Sequence, residues 1–340
     1  MQILTFVSVY RFLLPSILEW FGGGFCFHLL KFQEIKLSLI FNIYSRSSFP
    51  LQMKKFLYLI IPIVFFACQP RSKEDSSLVT VSILPQKYIV EQIAGNLLQI
   101  NVLVPPGSSP HNYEVLASQM KDLAKSKVWL QIGLLTFEDA WKEKMTSINK
   151  NLSIVNCSEG IDLIAGSDHH AEDQDHEHSG GFDPHVWLAP AEVKILAQNT
   201  LKALSKSFPE HATEFEKNFN PFIQKINTLS AQTEQKLSSL TNRNILIFHP
   251  ALAYFAREFN LQQIPLELDG KEPSPKHMKD IVDLAHEQNI RVIFIQKEFD
   301  PAFAEQMAKE ISGEVLVIDP LDYNWEKQML DISEKIAAQK

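Results

Sequence analysis

The chain alternates short β-branched runs with stretches of helical periodicity, and this alternation constrains its fold more than any other feature. Such a pattern predicts an α/β fold, in which a mostly parallel sheet is covered by helices. The runs form two groups of four: VTVSIL (79–84), QINVLVP (99–105), VWLQIG (128–133) and NLSIVNC (151–157), then NILIFHP (244–250), LQQIPLEL (261–268), RVIFIQ (291–296) and EVLVIDP (314–320). The sequence therefore predicts two lobes, each with a four-stranded, mostly parallel sheet.

A long helical stretch separates the two groups of strands. From residue 189 to 240, apolar residues recur every three to four positions, which is the spacing of amphipathic helices. Pro209 marks a break between two helices, and Pro221 should kink the second or mark its first turn. We expect an N-terminal lobe over 79–206, a linking helix over 207–241 and a C-terminal lobe over 242–340.

Residues 53–68 have the pattern of a bacterial lipoprotein signal peptide, with two lysines, an apolar run and a small residue before Cys68. The apolar run is shorter than the roughly 18 residues that span a bilayer, although a short transmembrane anchor is the alternative. We predict that Cys68 carries the lipid and that 69–78 form a polar tether. Residues 1–52 are then an upstream non-native extension, with a genuine membrane segment as the alternative.

Composition narrows the classes of function. The net charge of −8 argues against a nucleic-acid partner, and the three cysteines give no disulfide framework or thiolate metal site. The leader predicts a protein of the cell envelope, lipid-anchored on the periplasmic or outer face of the cytoplasmic membrane. We expect it to be a monomer.

An acidic, histidine-rich run, DHHAEDQDHEH (168–178), precedes the motif FDPHVWLAP (182–190). Its imidazoles and carboxylates can all hold a divalent cation, so the run is interpreted as an accessory metal-collecting loop. The four histidines of this loop are His169, His170, His176 and His178. His185 differs from them, because Pro184 and the apolar Val-Trp-Leu that follows it can fix its ring by packing.

Four residues that can bind metal follow predicted strands, two in each half of the chain. In open parallel sheets, ligands bind beyond the carboxyl ends of the strands. Each residue alone could be an ordinary turn residue, but their shared position favours one site. Three imidazoles and one carboxylate complete a tetrahedron for zinc, and a closed set of this kind suits binding rather than catalysis. The four residues are His111, His185, His249 and Asp319.

Five motifs, in this order, resemble the cluster A-I solute-binding proteins of ABC importers for zinc and manganese. They are GSSPHNYEVLASQMKDLAKSKVWLQIG, FDPHVWLAP, HPALAYFAREFNL, LDGKEPSP and VIDPL, and the resemblance covers about residues 79 to 340. It implies two α/β lobes joined by one long helix, with less closure than in sugar-binding relatives. It also implies that the four residues named above are the metal ligands.

The resemblance implies a binding protein that delivers zinc to an ABC permease and its ATPase, and not an enzyme. In that family a histidine at the third ligand position, here His249, is typical of zinc carriers, whereas glutamate is typical of manganese carriers. The alternatives are a manganese or iron carrier of the same family, a surface adhesin with a structural metal, and a metallohydrolase. A hydrolase would need an open coordination position and a general base, and the sequence has no HExxH motif.

Overall fold

The computed structural model describes residues 77–111, 113–166, 181–267 and 274–339. All of them belong to one structural unit, residues 75–340. The predicted signal peptide with Cys68 and the predicted metal-collecting loop, 168–178, lie outside the described residues. No helix in the described part of the chain is both long enough and apolar enough to cross a membrane.

The N-terminal lobe contains a four-stranded parallel sheet in the order β2-β1-β3-β4. The predicted first strand was too long at its end: β1 stops at Val81 and α1 begins at Leu84, because Pro85 suits the first turn of a helix. The elements of this lobe are β1 (Leu78–Val81), α1 (Leu84–Ala94), β2 (Gln99–Val102), α2 (Ala117–Leu123), β3 (Val128–Gln131), α3 (Thr136–Ile148), β4 (Ser153–Asn156) and α4 (Pro190–Ser207).

The C-terminal lobe repeats this topology, with a parallel sheet in the order β6-β5-β7-β8. Each of the eight predicted strands is present, so the predicted fold class is confirmed. The elements of this lobe are β5 (Asn244–Ile247), α6 (Ala253–Glu258), β6 (Gln262–Pro265), α7 (Pro275–Glu287), β7 (Val292–Gln296), α8 (Ala302–Glu310), β8 (Glu314–Ile318) and α9 (Trp325–Ala337).

The long helix α5 (Ala212–Leu237) connects the lobes and packs against α1, α4 and α9. As predicted, Pro209 separates it from α4, through a 3-10 turn over Pro209–His211. Its buried side is apolar and includes Phe215, Phe222 and Ile226, which accounts for its stability as an amphipathic helix. Pro221 lies inside the helix on its exposed side, and not in its first turn.

Among the described residues, two hydrophobic cores stabilise the unit, and the larger one extends through both lobes. The C-terminal sheet belongs to both cores, because successive side chains of a strand point to opposite faces. Ile245 and Ile247 of β5 pack into the shared core, whereas Leu246 packs into the smaller core under α7 and α8. The C-terminal lobe therefore has an outer core of its own and an inner face joined to the N-terminal lobe.

Buried polar groups also link the lobes. The indole of Trp187 donates to the carbonyl of Pro320 at 2.9 Å, and the indole of Trp325 donates to the carbonyl of Trp187 at 2.6 Å. The hydroxyl of Tyr254 donates to the carbonyl of Asp183 at 2.8 Å. These bonds fix the FDPHVW segment of the N-terminal lobe directly to the C-terminal lobe.

Two tyrosine–glutamate pairs make a further connection, between α1 and the start of α9. The hydroxyl of Tyr88 on α1 donates to the carboxylate of Glu326, and the hydroxyl of Tyr323 donates to the carboxylate of Glu91 on α1. The two rings meet edge to face, with centroids 6.0 Å apart. Each lobe thus supplies one tyrosine and one glutamate to this contact.

Candidate metal centre

Three of the predicted ligands meet in the cleft between the lobes. His111 lies beyond β2 and His249 beyond β5, while His185 precedes the 3-10 turn Val186–Leu188. Their rings are neighbours, with centroid distances of 5.1, 4.8 and 5.2 Å. One potential ligand atom from each ring lies within 4.8 Å of the others. The three histidines that follow predicted strands therefore lie together at the cleft, and their role as metal ligands stays a prediction.

His185 is held by its own motif. Its backbone N–H donates to the Asp183 carboxylate at 2.8 Å, and its Nδ1 lies 2.8 Å from the same oxygen. The next three residues, Val186–Leu188, are buried and fix the position of the ring. With Nδ1 bonded to a carboxylate, the lone pair of Nε2 is available to a metal ion. Burial alone would raise the pKa of Asp183, but attraction and hydrogen bonds from His185 lower it.

His249 is held in a similar way by the C-terminal lobe. Its Nδ1 is hydrogen-bonded to the Glu267 carboxylate, and the side-chain amide of Gln296 donates to its carbonyl at 2.6 Å. Its Nε2 is buried and has no hydrogen-bond partner among the described residues. A buried nitrogen without a partner is costly in an ordinary core. A cation in the cleft would satisfy it.

His111 completes the group from a turn after β2, where its N–H donates to Ser109 Oγ at 3.3 Å. Its Nε2 lies 3.2 Å from Nε2 of His185. Two nitrogens bound to one tetrahedral zinc at roughly 2.0–2.1 Å would be roughly 3.3 Å apart, so this spacing fits a shared ion. Desolvation lowers the pKa of His111 to about 3, and repulsion from His185 and His249 contributes. The ring is therefore neutral and ready to bind metal at neutral pH.

Asp319, the predicted fourth ligand, does not join this cluster in the structure. Its Oδ2 accepts from Lys297 Nζ at 3.0 Å, and its Oδ1 accepts from the N–H of Leu321 at 3.3 Å. A different carboxylate, that of Glu298, lines a cavity of about 20 Å³ with the three histidines. Coordination by Asp319 stays a prediction.

Sequence reasoning missed the carboxylates that support the histidines. Asp183 was within a quoted motif, but its spacing of two residues from His185 was not used. Glu267 and Glu298 each lie two residues beyond a strand, β6 and β7, so the rule that found the histidines would also have found them.

Known proteins of similar sequence and fold identify the family of this chain. The sequence model of the family described as ZnuA, zinc-uptake complex component A, periplasmic, matches residues 79–337. The chain belongs to the ZnuA family. A crystal structure of ZnuA is 34% identical and superposes with a TM-score of 0.71, covering 78% of this chain and 99% of that one. A zinc-bound deletion mutant of ZnuA is also 34% identical, with a TM-score of 0.70 over 77% of this chain and 97% of the other.

Curated relatives carry related names. The zinc-binding protein AdcA of Streptococcus pyogenes serotype M3 is 29% identical over 82% of this chain and 58% of its own length. The zinc-binding lipoprotein AdcA of Streptococcus pneumoniae R6 is 24% identical over 79% of this chain and 56% of its own. The chain thus spans little more than half of these relatives. The predicted resemblance to cluster A-I proteins is confirmed, and the ZnuA family is one of transport components, not enzymes.

Proposed function

We propose that the protein captures zinc between its lobes through His111, His185 and His249, and delivers it to an ABC permease with its ATPase. The convergence of three imidazoles on one point, with Nε2 of His249 buried and unpaired, carries this proposal. Imidazole nitrogens suit zinc, whereas manganese prefers oxygen ligands. The names of the ZnuA and AdcA relatives support zinc as the cargo.

The fold alone does not select the metal. FpvC of Pseudomonas aeruginosa, solved in complex with Mn²⁺, shares the fold at 21% identity and a TM-score of 0.65, covering 76% of this chain and 96% of its own. The donor atoms must make the distinction, and here the third ligand position is His249. We expect that His249→Glu shifts the preference toward manganese.

The test is a titration of metal-free protein with zinc against a competing chelator. Each single substitution of the three histidines by alanine should abolish tight binding, since a missing direct ligand should cost more than the roughly 10–100-fold lost with a supporting partner. His286→Ala is the control, because His286 is exposed on α7. Tight binding that survives any of the three substitutions would refute this site.

We also propose that the acidic loop, 168–178, is an accessory collector with weak affinity. Described residues on either side of it, Ala165 and Phe182, form an antiparallel bridge and line the same cleft as the three histidines. Deleting the loop should remove loosely bound zinc and leave one tight equivalent. Loss of the tight equivalent would show that the loop supplies a primary ligand.

Attachment to the membrane through Cys68 is part of the same proposal. The name of the pneumococcal relative, a zinc-binding lipoprotein, supports it. Cells fed a labelled fatty acid should label the protein, and Cys68→Ala should remove the label without affecting zinc binding. Peptides from residues 1–52 in the native protein would contradict the assignment of these residues as a non-native extension.

A further inference from the structure

Glu298 follows β7 by two residues and is the carboxylate that shares the small cavity with the three histidines. Its Oε2 is buried and finds no hydrogen-bond partner among the described residues. The cavity, at about 20 Å³, is close to the space that a single water molecule or ion occupies. Glu298 and His249 both line this cavity, and each has one buried polar atom without a partner among the described residues. The Glu298 carboxylate is not in the group of ligand atoms that lie within 4.8 Å of one another, so its side chain must move toward the three rings to reach a shared ion.

Asp319 is in a different situation, although it also follows a strand of this lobe. Both of its oxygens accept hydrogen bonds, and its charge is compensated by Lys297. Coordination by Asp319 would compete with these hydrogen bonds. Glu298 would give up no such partner at Oε2.

The charge of the ion favours a carboxylate in this position. Three neutral imidazoles leave the full charge of a divalent cation in a partly buried cleft, and an anionic ligand would halve it. A buried carboxylate oxygen without a partner is itself unfavourable. One bond between metal and oxygen removes both costs, and zinc sites commonly include a carboxylate at roughly 2.0–2.2 Å.

We propose that Glu298 is the fourth metal ligand and that Asp319 instead forms an ion pair with Lys297 outside the coordination sphere. This rests on the proposed three-histidine site. It assigns a mixed nitrogen and oxygen donor set, in which each lobe contributes two ligands: His111 and His185 from the first, His249 and Glu298 from the second.

The experiment compares Glu298→Gln, Asp319→Asn and Glu305→Gln with the unsubstituted protein. Glu305 is an exposed glutamate on α8 and serves as the matched control. Glu298→Gln should weaken zinc binding about tenfold or more, while the other two stay within about threefold, since a direct ligand should matter at least as much as a supporting partner. Cobalt(II) is the second probe: its visible absorption should change in Glu298→Gln only.

The melting temperature of the metal-free protein distinguishes a metal ligand from a residue that only supports the structure. A ligand carboxylate that is buried and unpaired destabilises the empty fold, so Glu298→Gln should melt without metal at the same temperature as the unsubstituted protein or higher. A lower melting temperature would show that Glu298 stabilises the segment after β7, and it would overturn the proposal.

Two further results separate this inference from the proposed function. If His185→Ala loses tight zinc but Glu298→Gln keeps full affinity and the same cobalt spectrum, only the role of Glu298 is wrong. If His185→Ala also keeps tight zinc, the three-histidine site is wrong, and the assignment of Glu298 is refuted with it.

Discussion

Each lobe has a glutamate in the segment after its third strand, but the two carboxylates differ in their hydrogen-bond partners. Glu138 follows β3 and is fully buried, and its carboxylate accepts from Ser82 and from the N–H groups of Ile132 and Gly133. Glu298 follows β7 and has one buried oxygen with no partner among the described residues. Burial raises the pKa of both groups, to about 7 for Glu138. One carboxylate is satisfied by the fold, and the other is left available.

The carboxylates that support the histidines, by contrast, have the same role in both lobes. Asp183 holds Nδ1 of His185 in the first lobe, and Glu267 holds Nδ1 of His249 in the second. Both carboxylates are buried. The number of hydrogen-bond partners therefore separates structural carboxylates from candidate ligands, whereas burial alone does not.

The largest expected effect is that of replacing Glu138, the carboxylate with several hydrogen-bond partners. Glu138→Ala should lower the free energy of unfolding by about 3 kcal/mol or more, because each buried donor left without an acceptor costs roughly 1–3 kcal/mol. Chemical denaturation of the metal-free protein measures it. Glu298→Ala is the counterpart and should cost much less. Equal losses would mean that both carboxylates are structural.

Glu138 also predicts a pH dependence. Its pKa in the folded protein, about 7, is raised above the ordinary value of a glutamate, so the folded state keeps a proton that the unfolded chain releases. This contribution to stability is complete below roughly pH 4 and is lost as the pH rises through 7. Desolvation of His111 acts in the opposite direction, because it costs stability as the pH falls below roughly 6.5. The difference between the unsubstituted protein and Glu138→Gln, measured by denaturation at several pH values, isolates the glutamate.

A smaller effect on zinc affinity is expected from the two carboxylates that support the histidines. Asp183→Asn and Glu267→Gln should each weaken zinc binding roughly 10–100-fold, as is usual when the carboxylate partner of a metal-bound histidine is lost. Competition with a chelator measures both, and Asp283→Asn, an exposed change on α7, is the control. An effect confined to one lobe would show that the two halves do not support the metal equally.

The smallest effect concerns the tyrosine–glutamate pairs between α1 and α9. Tyr88 is buried, so Tyr88→Phe should cost about 1 kcal/mol, the usual value of a hydrogen bond. Tyr323 is 43% exposed, and Tyr323→Phe should cost less than about 0.5 kcal/mol. Thermal melting of the two variants is the measurement. A larger loss for Tyr323 would reverse the order that burial predicts.

Particular residues show how far the sequence could be used. The eight strands were predictable because β-branched runs and helical periodicity are local signals, and His185 was predictable because its motif fixes it. The engagement of Asp319 with Lys297 was not, since it depends on how the end of β8 lies beside the loop after β7. The pairing of His249 with Glu267 joins residues 18 positions apart, and neither periodicity nor composition encodes such a contact.

The hydrophobic core that extends through both lobes has a consequence for turnover of the protein. Because the lobes share this core, the unit should unfold in one cooperative transition, and zinc bound at the proposed site would stabilise all of it. At a free zinc concentration about 1,000 times the dissociation constant, the stabilisation amounts to roughly 4 kcal/mol, or about a thousandfold fewer unfolded molecules. Proteases that cleave the open form should therefore remove empty carriers much faster than loaded ones. The supply of zinc would set the lifetime of its own carrier.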